Sequence, residues 1–292
     1  GDRADEWIVS IMKEFDGLND QQVFSHDWSK EKLAEAGIRG RPVPCSTALT
    51  HKYKDGNLDK LKTRICIAGH PGNVKKGIHY DEVFSPAPFQ HTERFLQAMW
   101  ANLRLANLTW DIKQAYTWAP LPPGERIAVV YPDGFKRQDS DGNELFAVLE
   151  KNLYGMPNAA RGWGQHRDEF IIRRFNQKGW RCTKSTSDPC LFIIDKIQPD
   201  DRWKTDFTKE KLKPYYDAEE GLPNDASRSW ILIHTDDCDA YGQCRDDLDE
   251  IYKIMNDRWA AEIVPSDFVL GVKRTRVVDN DNGWYSEMTM PS

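Results

Sequence analysis

No run of about 18 apolar residues, the length a membrane-crossing helix needs, occurs in the 292 residues of this chain. Cysteine is scarce: Cys45, Cys66, Cys182, Cys190, Cys238 and Cys244 are the only six, and no two stand in a CxxC spacing. That suggests neither a zinc site nor a disulfide framework, and a reducing, intracellular setting fits best. The opening GDRADEW lacks the basic start and apolar stretch of a secretory leader. No internal repeat is visible. Nor is there an excess of positive charge, since 40 Lys and Arg against 46 Asp and Glu leave −6. Taken alone, that total argues against a nucleic-acid partner.

What is present changes that reading. At 39% hydrophobic and 29% charged, the chain can bury a substantial core, as two domains or one multi-lobed one. Its charge is unevenly spread. Residues 51–76 and 161–184 each hold seven cations against two carboxylates, +5 apiece, which leaves −16 for the rest. Two basic islands in an acidic body are compatible with local phosphate binding, or with ordinary solvated surface.

Periodicity predicts an amphipathic helix over residues 3–16, with Trp7, Ile8, Ile11, Met12 and Phe15 on one face. Residues 17–44 read as a polar, irregular connector. A hairpin follows, turning at Asp55-Gly56-Asn57, with Lys60, Lys62 and Arg64 on one face of its second strand. Residues 92–105 read as a helix capped by Thr92, with Phe95, Leu96, Met99, Trp100 and Leu103 inward. Strands are expected at LTWDI, RIAVVYP, ELFAVLEKNLYG, PCLFIID and FVLGVKR. Helices are expected over 159–178, with Trp163, Phe170, Ile171 and Phe175 inward, and over 245–259, with Leu248, Ile251, Tyr252, Met255 and Trp259 inward. Residues 196–228, rich in Asp, Lys and Pro, read as an exposed insertion. Trp110 and Trp163 read as core residues rather than stacking platforms. The fold class expected is α+β, a sheet with helices on one face.

The chemistry concentrates at two strand ends. Asp111 closes an apolar strand. Asp236 and Asp237 interrupt another, in SWILIHTDDCDAYG. A lone acidic pair is most simply a polar turn. Here, however, the apolar run reaches almost to the acids, and a second strand also ends in an aspartate. If the strands are neighbours, the carboxylates converge. Mg²⁺ takes hard oxygen ligands, commonly one or two carboxylates plus substrate phosphates. Two such ions can activate a hydroxyl and steady a leaving phosphate oxygen.

RICIAGHPGNVKKGIHYDEVFSPAP, LTWDIKQAY, NLYGMPNAARGW, SDPCLFI, ILIHTDD and FVLGV occur in the order and approximate spacing of copia-type long-terminal-repeat retrotransposon reverse transcriptases. The chain resembles that family over about residues 5–275. The resemblance implies a right-hand polymerase with fingers and a palm, the palm an antiparallel sheet backed by helices: an RNA-directed DNA polymerase that transfers deoxynucleotides to a primer 3′-hydroxyl using two Mg²⁺, with Mn²⁺ as a substitute. It implies Asp111 and Asp236 as metal ligands and Asp237 as their acidic neighbour. Lys62 and Arg64 reach the incoming triphosphate, with Arg64 favoured for bidentate contact. Tyr116 walls out a 2′-hydroxyl. Gly155 permits close backbone approach to nucleotide or template, and Asn158 bonds a base or sugar. Arg161 meets template phosphate or makes a structural salt bridge. His234 and Gly271 support the primer.

The family pattern divides the chain into residues 1–44, an N-terminal helix and connector; 45–90 and 123–158, the fingers; and 91–122 and 159–275, the palm, with the insertion 196–228. Residues 276–292 begin a truncated connection. Two departures stand out. His234 and Thr235 replace the usual Tyr-Val, and Pro157-Asn158-Ala159-Ala160 replaces Lys-Gln-Ala-Pro. Expected partners are an RNA or DNA template with its primer, deoxynucleoside triphosphates and other segments of the same polyprotein, but no membrane. The expected location is cytoplasmic, in a virus-like particle, or nuclear. With no ribonuclease H, integrase, protease or coat segment, the chain is expected to be a fragment, a processed domain or a truncated copy. The alternative function is a co-opted or decayed domain that binds nucleic acid without polymerising.

Overall fold

The computed structural model describes residues 3–197 and 226–289, except 39, 55, 123, 267, 270, 271 and 280–282. Most of the expected insertion 196–228, and Gly271, lie outside the described residues. Among those described, no helix is long and apolar enough to cross a membrane. The chain divides into two compact units, residues 1–85 with 114–167 and residues 86–113 with 168–292.

In the first unit, helix α1 runs Ala4–Asp20, past the expected end at residue 16. Asp16-Gly17 resembles a stop, and a helical glycine costs about 1 kcal/mol. Leu18 lies three residues beyond Phe15 and is fully buried, which returns about 1.5–3 kcal/mol, so the helix continues. The buried face is Phe15 and Leu18. Ile8 and Met12, expected inward, are exposed. Residues 17–44 are not irregular: they hold β1 (Phe24–Trp28) and α2 (Lys30–Glu35). Ser29 caps α2 by accepting the Lys32 N–H.

Strands β2 (Val43–Lys54) and β3 (Asn57–Ile67) form the expected hairpin, paired antiparallel. Thr63, Ile65 and Ile67 are buried on one face of β3, so Lys60, Lys62 and Arg64 share the other. The sheet is completed by β5 (Ile127–Val130), β6 (Arg137–Gln138) and β7 (Glu144–Leu149). Its order is β1-β7-β5-β2-β3, with β6 on β7, and β2 runs parallel to β5. Phe15, Leu18, Ile65, Ile67, Val129 and Leu149 form its core.

The second unit is built on an antiparallel sheet. Its strands are β4 (Ala106–Ile112), β8 (Arg181–Lys184), β9 (Leu191–Ile197), β10 (Ala226–His234), β11 (Asp237–Gly242) and β12 (Ala261–Val264). The order is β12-β4-β11-β10-β9-β8. Helix α3 (Gln90–Asn102) begins earlier than expected, and Thr92 lies buried in its first turn instead of capping it. The Phe89 N–H is held by the Asp188 carboxylate at 2.9 Å. Phe95 and Leu103 are exposed, whereas Leu96 is fully buried. Helix α4 spans Ala159–Gln177. Helix α5 (Arg245–Trp259) matches its expected bounds, and Leu248, Ile251, Met255 and Trp259 are fully buried.

Strand periodicity sorts this sheet into two faces. Trp110 lies on one, with the ring of Tyr252 from α5 at 5.8 Å. Tyr241 and Leu232 lie on the other, packed with Leu96 of α3. Helices therefore flank both faces, not one as expected, because α3 and α5 each have an apolar face to bury. Trp110 and Trp163 are both fully buried. Three backbone-paired strands follow, β13 (Phe268–Val269), β14 (Val272–Asp279) and β15 (Gly283–Thr289), so the expected FVLGVKR strand is split.

In the second basic island Arg173, Arg174 and Lys178 are exposed, and three of its cations are taken up by ion pairs. Arg181 is buried in an ion pair with Asp195, Lys184 pairs with Asp168, and Lys178 with Glu250 at 2.5 Å. Cations already neutralised in this way offer little to a phosphate.

Candidate active site

The acidic doublet sits at a hairpin tip. Ile231, Leu232 and Ile233 are buried at the end of β10, and Cys238, Ala240 and Tyr241 are buried in β11. His234 pairs with Asp237, which leaves Thr235 and Asp236 as a two-residue connection. Thr235 has φ 58°, a conformation that β-branched residues avoid. Glycine ordinarily fills such hairpin positions. Strain of this kind, roughly 1–3 kcal/mol, persists only where surrounding structure enforces it. The Ile112 N–H donates to the Asp236 carbonyl at 3.0 Å and ties the turn to the end of β4.

Register does the rest. Asp237 stands directly opposite Asp111 across β11 and β4, and directly opposed side chains lie about 4.5–5.5 Å apart at Cβ. Asp236 is adjacent through the turn. Like charges so placed repel, and Asp237 responds. Burial first, then the charges of Asp236 and Asp111, push its carboxyl up to about 6, against the pull of His234. On its other flank Asp111 opposes Glu262, which is ion-paired with Lys113 at 2.8 Å.

Among the described residues, no three His, Cys, Asp or Glu side chains form a ready-made metal cage. The donors present, hard carboxylate oxygens under mutual repulsion, fit a divalent ion that uses one or two carboxylates and completes its shell with water and substrate oxygens.

Two residues along the same face is Asp239, which sequence reasoning missed. It is buried, and its carboxylate accepts from Asn107 Nδ2 at 2.9 Å, Thr109 Oγ1 at 3.1 Å and Tyr241 Oη at 2.5 Å. These bonds join β4 to β11 immediately behind the Asp111–Asp237 pair. A third aspartate in DDCD, inside an apolar run, was the available signal.

The remaining expected site residues, apart from Gly271, lie in the first unit, whereas Asp111, His234, Asp236 and Asp237 lie in the second. Arg64 sits over the Tyr154 ring at 5.4 Å, and the Tyr154 ring lies 5.2 Å from that of Tyr116. Tyr154, unremarked in the sequence, thus connects the two. Lys62 shares the Arg64 face of β3. Both cations act on Glu14 of α1, whose carboxyl is nonetheless raised because burial outweighs them.

Gly155 has φ +85°, and a Cβ there would meet the Ile67 carbonyl at 2.1 Å. The close approach it permits here is therefore to β3 itself. The Asn158 side chain is buried and donates to Glu125 at 3.4 Å. The Arg161 guanidinium donates to the Phe84 carbonyl at 3.3 Å.

A family model described as reverse transcriptase (RNA-dependent DNA polymerase) matches residues 32–183. That span includes Lys62, Arg64, Asp111, Tyr116, Gly155, Asn158 and Arg161 but ends before the hairpin. A stretch of 164 residues is 32% identical to the retrovirus-related Pol polyprotein from transposon TNT 1-94 of Nicotiana tabacum. It takes in 56% of this chain but only 11% of that polyprotein.

Proposed function

Because the chain belongs to the copia-type reverse transcriptase (RNA-dependent DNA polymerase) family, we propose that it performs template-directed DNA synthesis on RNA and DNA. The reaction transfers a deoxynucleotidyl group from a triphosphate to a primer 3′-hydroxyl, with release of pyrophosphate. The observation that carries this reading is the register of Asp237 opposite Asp111, with Asp236 in the adjoining turn.

Asp111 and Asp236 would hold divalent ions, Mg²⁺ or Mn²⁺, with Asp237 beside them. When bound, such ions neutralise phosphate charge and favour ionisation of the attacking hydroxyl. The chain's own work is positioning and charge complementarity, which dominate catalysis of phosphoryl transfer. Lys62 and Arg64 neutralise the incoming triphosphate. Tyr116, backed by Tyr154, sets a ring where a ribose 2′-hydroxyl would sit. Gly155, through its packing on β3, and Asn158 would border the nucleotide, Arg161 would contact template phosphate, and His234 and Gly271 would support the primer. Residues 45–90 and 123–158 would serve as fingers, and 91–122 and 159–275 as palm. Other segments of a polyprotein, such as the one the tobacco relative is named for, would act beside it inside cytoplasmic particles.

Primer extension on RNA and DNA templates with Mg²⁺ tests the reading, with Asp236→Asn alongside. Extension by the natural chain, lost in the variant, is expected. Nucleic-acid binding without any extension favours the non-polymerising alternative and overturns this one.

A further inference from the structure

A ring that sorts sugars has to be held still. Tyr116 sits in a short 3₁₀ turn, Ala115–Trp118, whose first flanking residue is Gln114. Gln114 has φ 52° and ψ 44°, the left-handed region that L-residues other than Asn, Asp and Gly rarely enter. Such a conformation persists where other contacts over-determine it.

Those contacts come from α1. Gln114 Nε2 donates to Glu14 Oε2 at 3.4 Å, and Gln114 Oε1 accepts from Gln21 Nε2 at 2.6 Å. The Thr117 hydroxyl bonds the Gln114 carbonyl at 2.7 Å and also contacts Gln21 Oε1. Glu14 lies in α1 and Gln21 flanks its C-terminal end, seven residues on and about two helical turns along the same side. Between them lies Gly17, where an added Cβ would sit 3.5 Å from Gln114 Nε2. The helix thus presents acceptor, gap and amide in a row, and one side chain spans them. Thr117 is fully buried, so the turn cannot relax toward solvent without breaking the set.

We propose that α1 is a positioning element of sugar selection: Glu14 and Gln21 clamp Gln114, and through it the turn that carries Tyr116, so that a residue 93 positions upstream sets discrimination between deoxyribose and ribose. This rests on the role given to Tyr116 in the proposed function. Steric exclusion works only if the wall is stiff. The Tyr154 ring supports Tyr116 from one side, and the clamp supports the backbone beneath it.

Two variants isolate the clamp. Gln21→Ala removes the amide that holds both Gln114 and Thr117. Gln114→Asn keeps a residue tolerant of the left-handed backbone but is too short to bridge Glu14 and Gln21. Both are compared with Tyr116→Val by hydrogen exchange over residues 112–118 and by the ratio of kcat/KM for deoxynucleotide against ribonucleotide. The clamp predicts exchange faster by about tenfold. It also predicts a ratio lowered by roughly threefold to tenfold, with deoxynucleotide kcat nearly unchanged.

Unchanged exchange in both variants overturns the clamp, whether or not the ratio moves. Faster exchange with an unmoved ratio, while Tyr116→Val does move it, overturns the link to sugar selection and leaves the proposed function standing. A Tyr116→Val ratio equal to that of the natural chain removes the premise, and the inference falls with it. Failure of the natural chain to incorporate any nucleotide overturns both.

Discussion

The tip and the middle of β11 carry the same carboxyl group and treat it in opposite ways. Asp239, in the middle, is buried and receives three hydrogen bonds from Asn107, Thr109 and Tyr241. Asp237, two residues away on the same face, is half-buried and faces Asp111, with Asp236 alongside. Among the described residues, no donor answers it. A buried carboxylate supplied with donors belongs to the scaffold, because its desolvation is met by hydrogen bonds. One crowded by two others and given none is destabilised by their charge, and under the proposed function a cation held by Asp111 and Asp236 would relieve it.

Substitution should separate the two roles. Asp111→Asn keeps shape and volume, so the expected loss falls on chemistry: nucleotide incorporation down by more than about a hundredfold, with an unchanged melting temperature or a slightly higher one. Asp239→Ala should do the reverse. It strands three donors in the core and should cost about 2–4 kcal/mol in urea unfolding. Catalysis lost at full stability in this variant would mean that Asp239 belongs with the metal group and that the comparison fails.

Stability should also depend on pH. The Asp237 carboxyl is raised, so ionising it opposes folding. The penalty is absent below the ordinary carboxylate range, grows as pH rises, and is complete above about 6. Asp237→Asn should therefore raise the melting temperature by a few degrees at pH 7.5 and leave it unchanged near pH 3.5. The smallest effect is Mg²⁺ protection of the natural chain, about a degree or two, which should be larger at pH 7.5 than at pH 5.5 because bound protons compete with the ion.

How legible this was depends on the range of the interactions. Helix α5 was readable to its ends because Leu248, Ile251, Met255 and Trp259 repeat at helical spacing and every one is buried. The hairpin at Asp236-Asp237 and the strand carrying Asp111 were likewise visible as apolar runs that end in acids. Helix α1 was misread. Periodicity shows which residues share a face, not which neighbour will cover it, and Ile8 and Met12 remain exposed. Residues 17–44 hid β1 because its register partner, β7, lies more than a hundred residues downstream. Asp239 and Thr109 are 130 positions apart, and Gln114 and Glu14 are 100 apart. No local pattern carries such pairs, so both the donors that quiet one aspartate and the clamp beneath Tyr116 emerge only from the fold.

Under the proposed function, the ends of β4 and β10 and the start of β11 bind a divalent ion. Fe²⁺ substituted for Mg²⁺, with ascorbate and peroxide, cuts the backbone beside the ion it replaces and reads that claim without requiring activity. Cuts near residues 110–112 and 235–238 are expected, suppressed by excess Mg²⁺ and lost in Asp236→Asn. Cleavage elsewhere only, or cuts at these positions that survive the substitution, would contradict it.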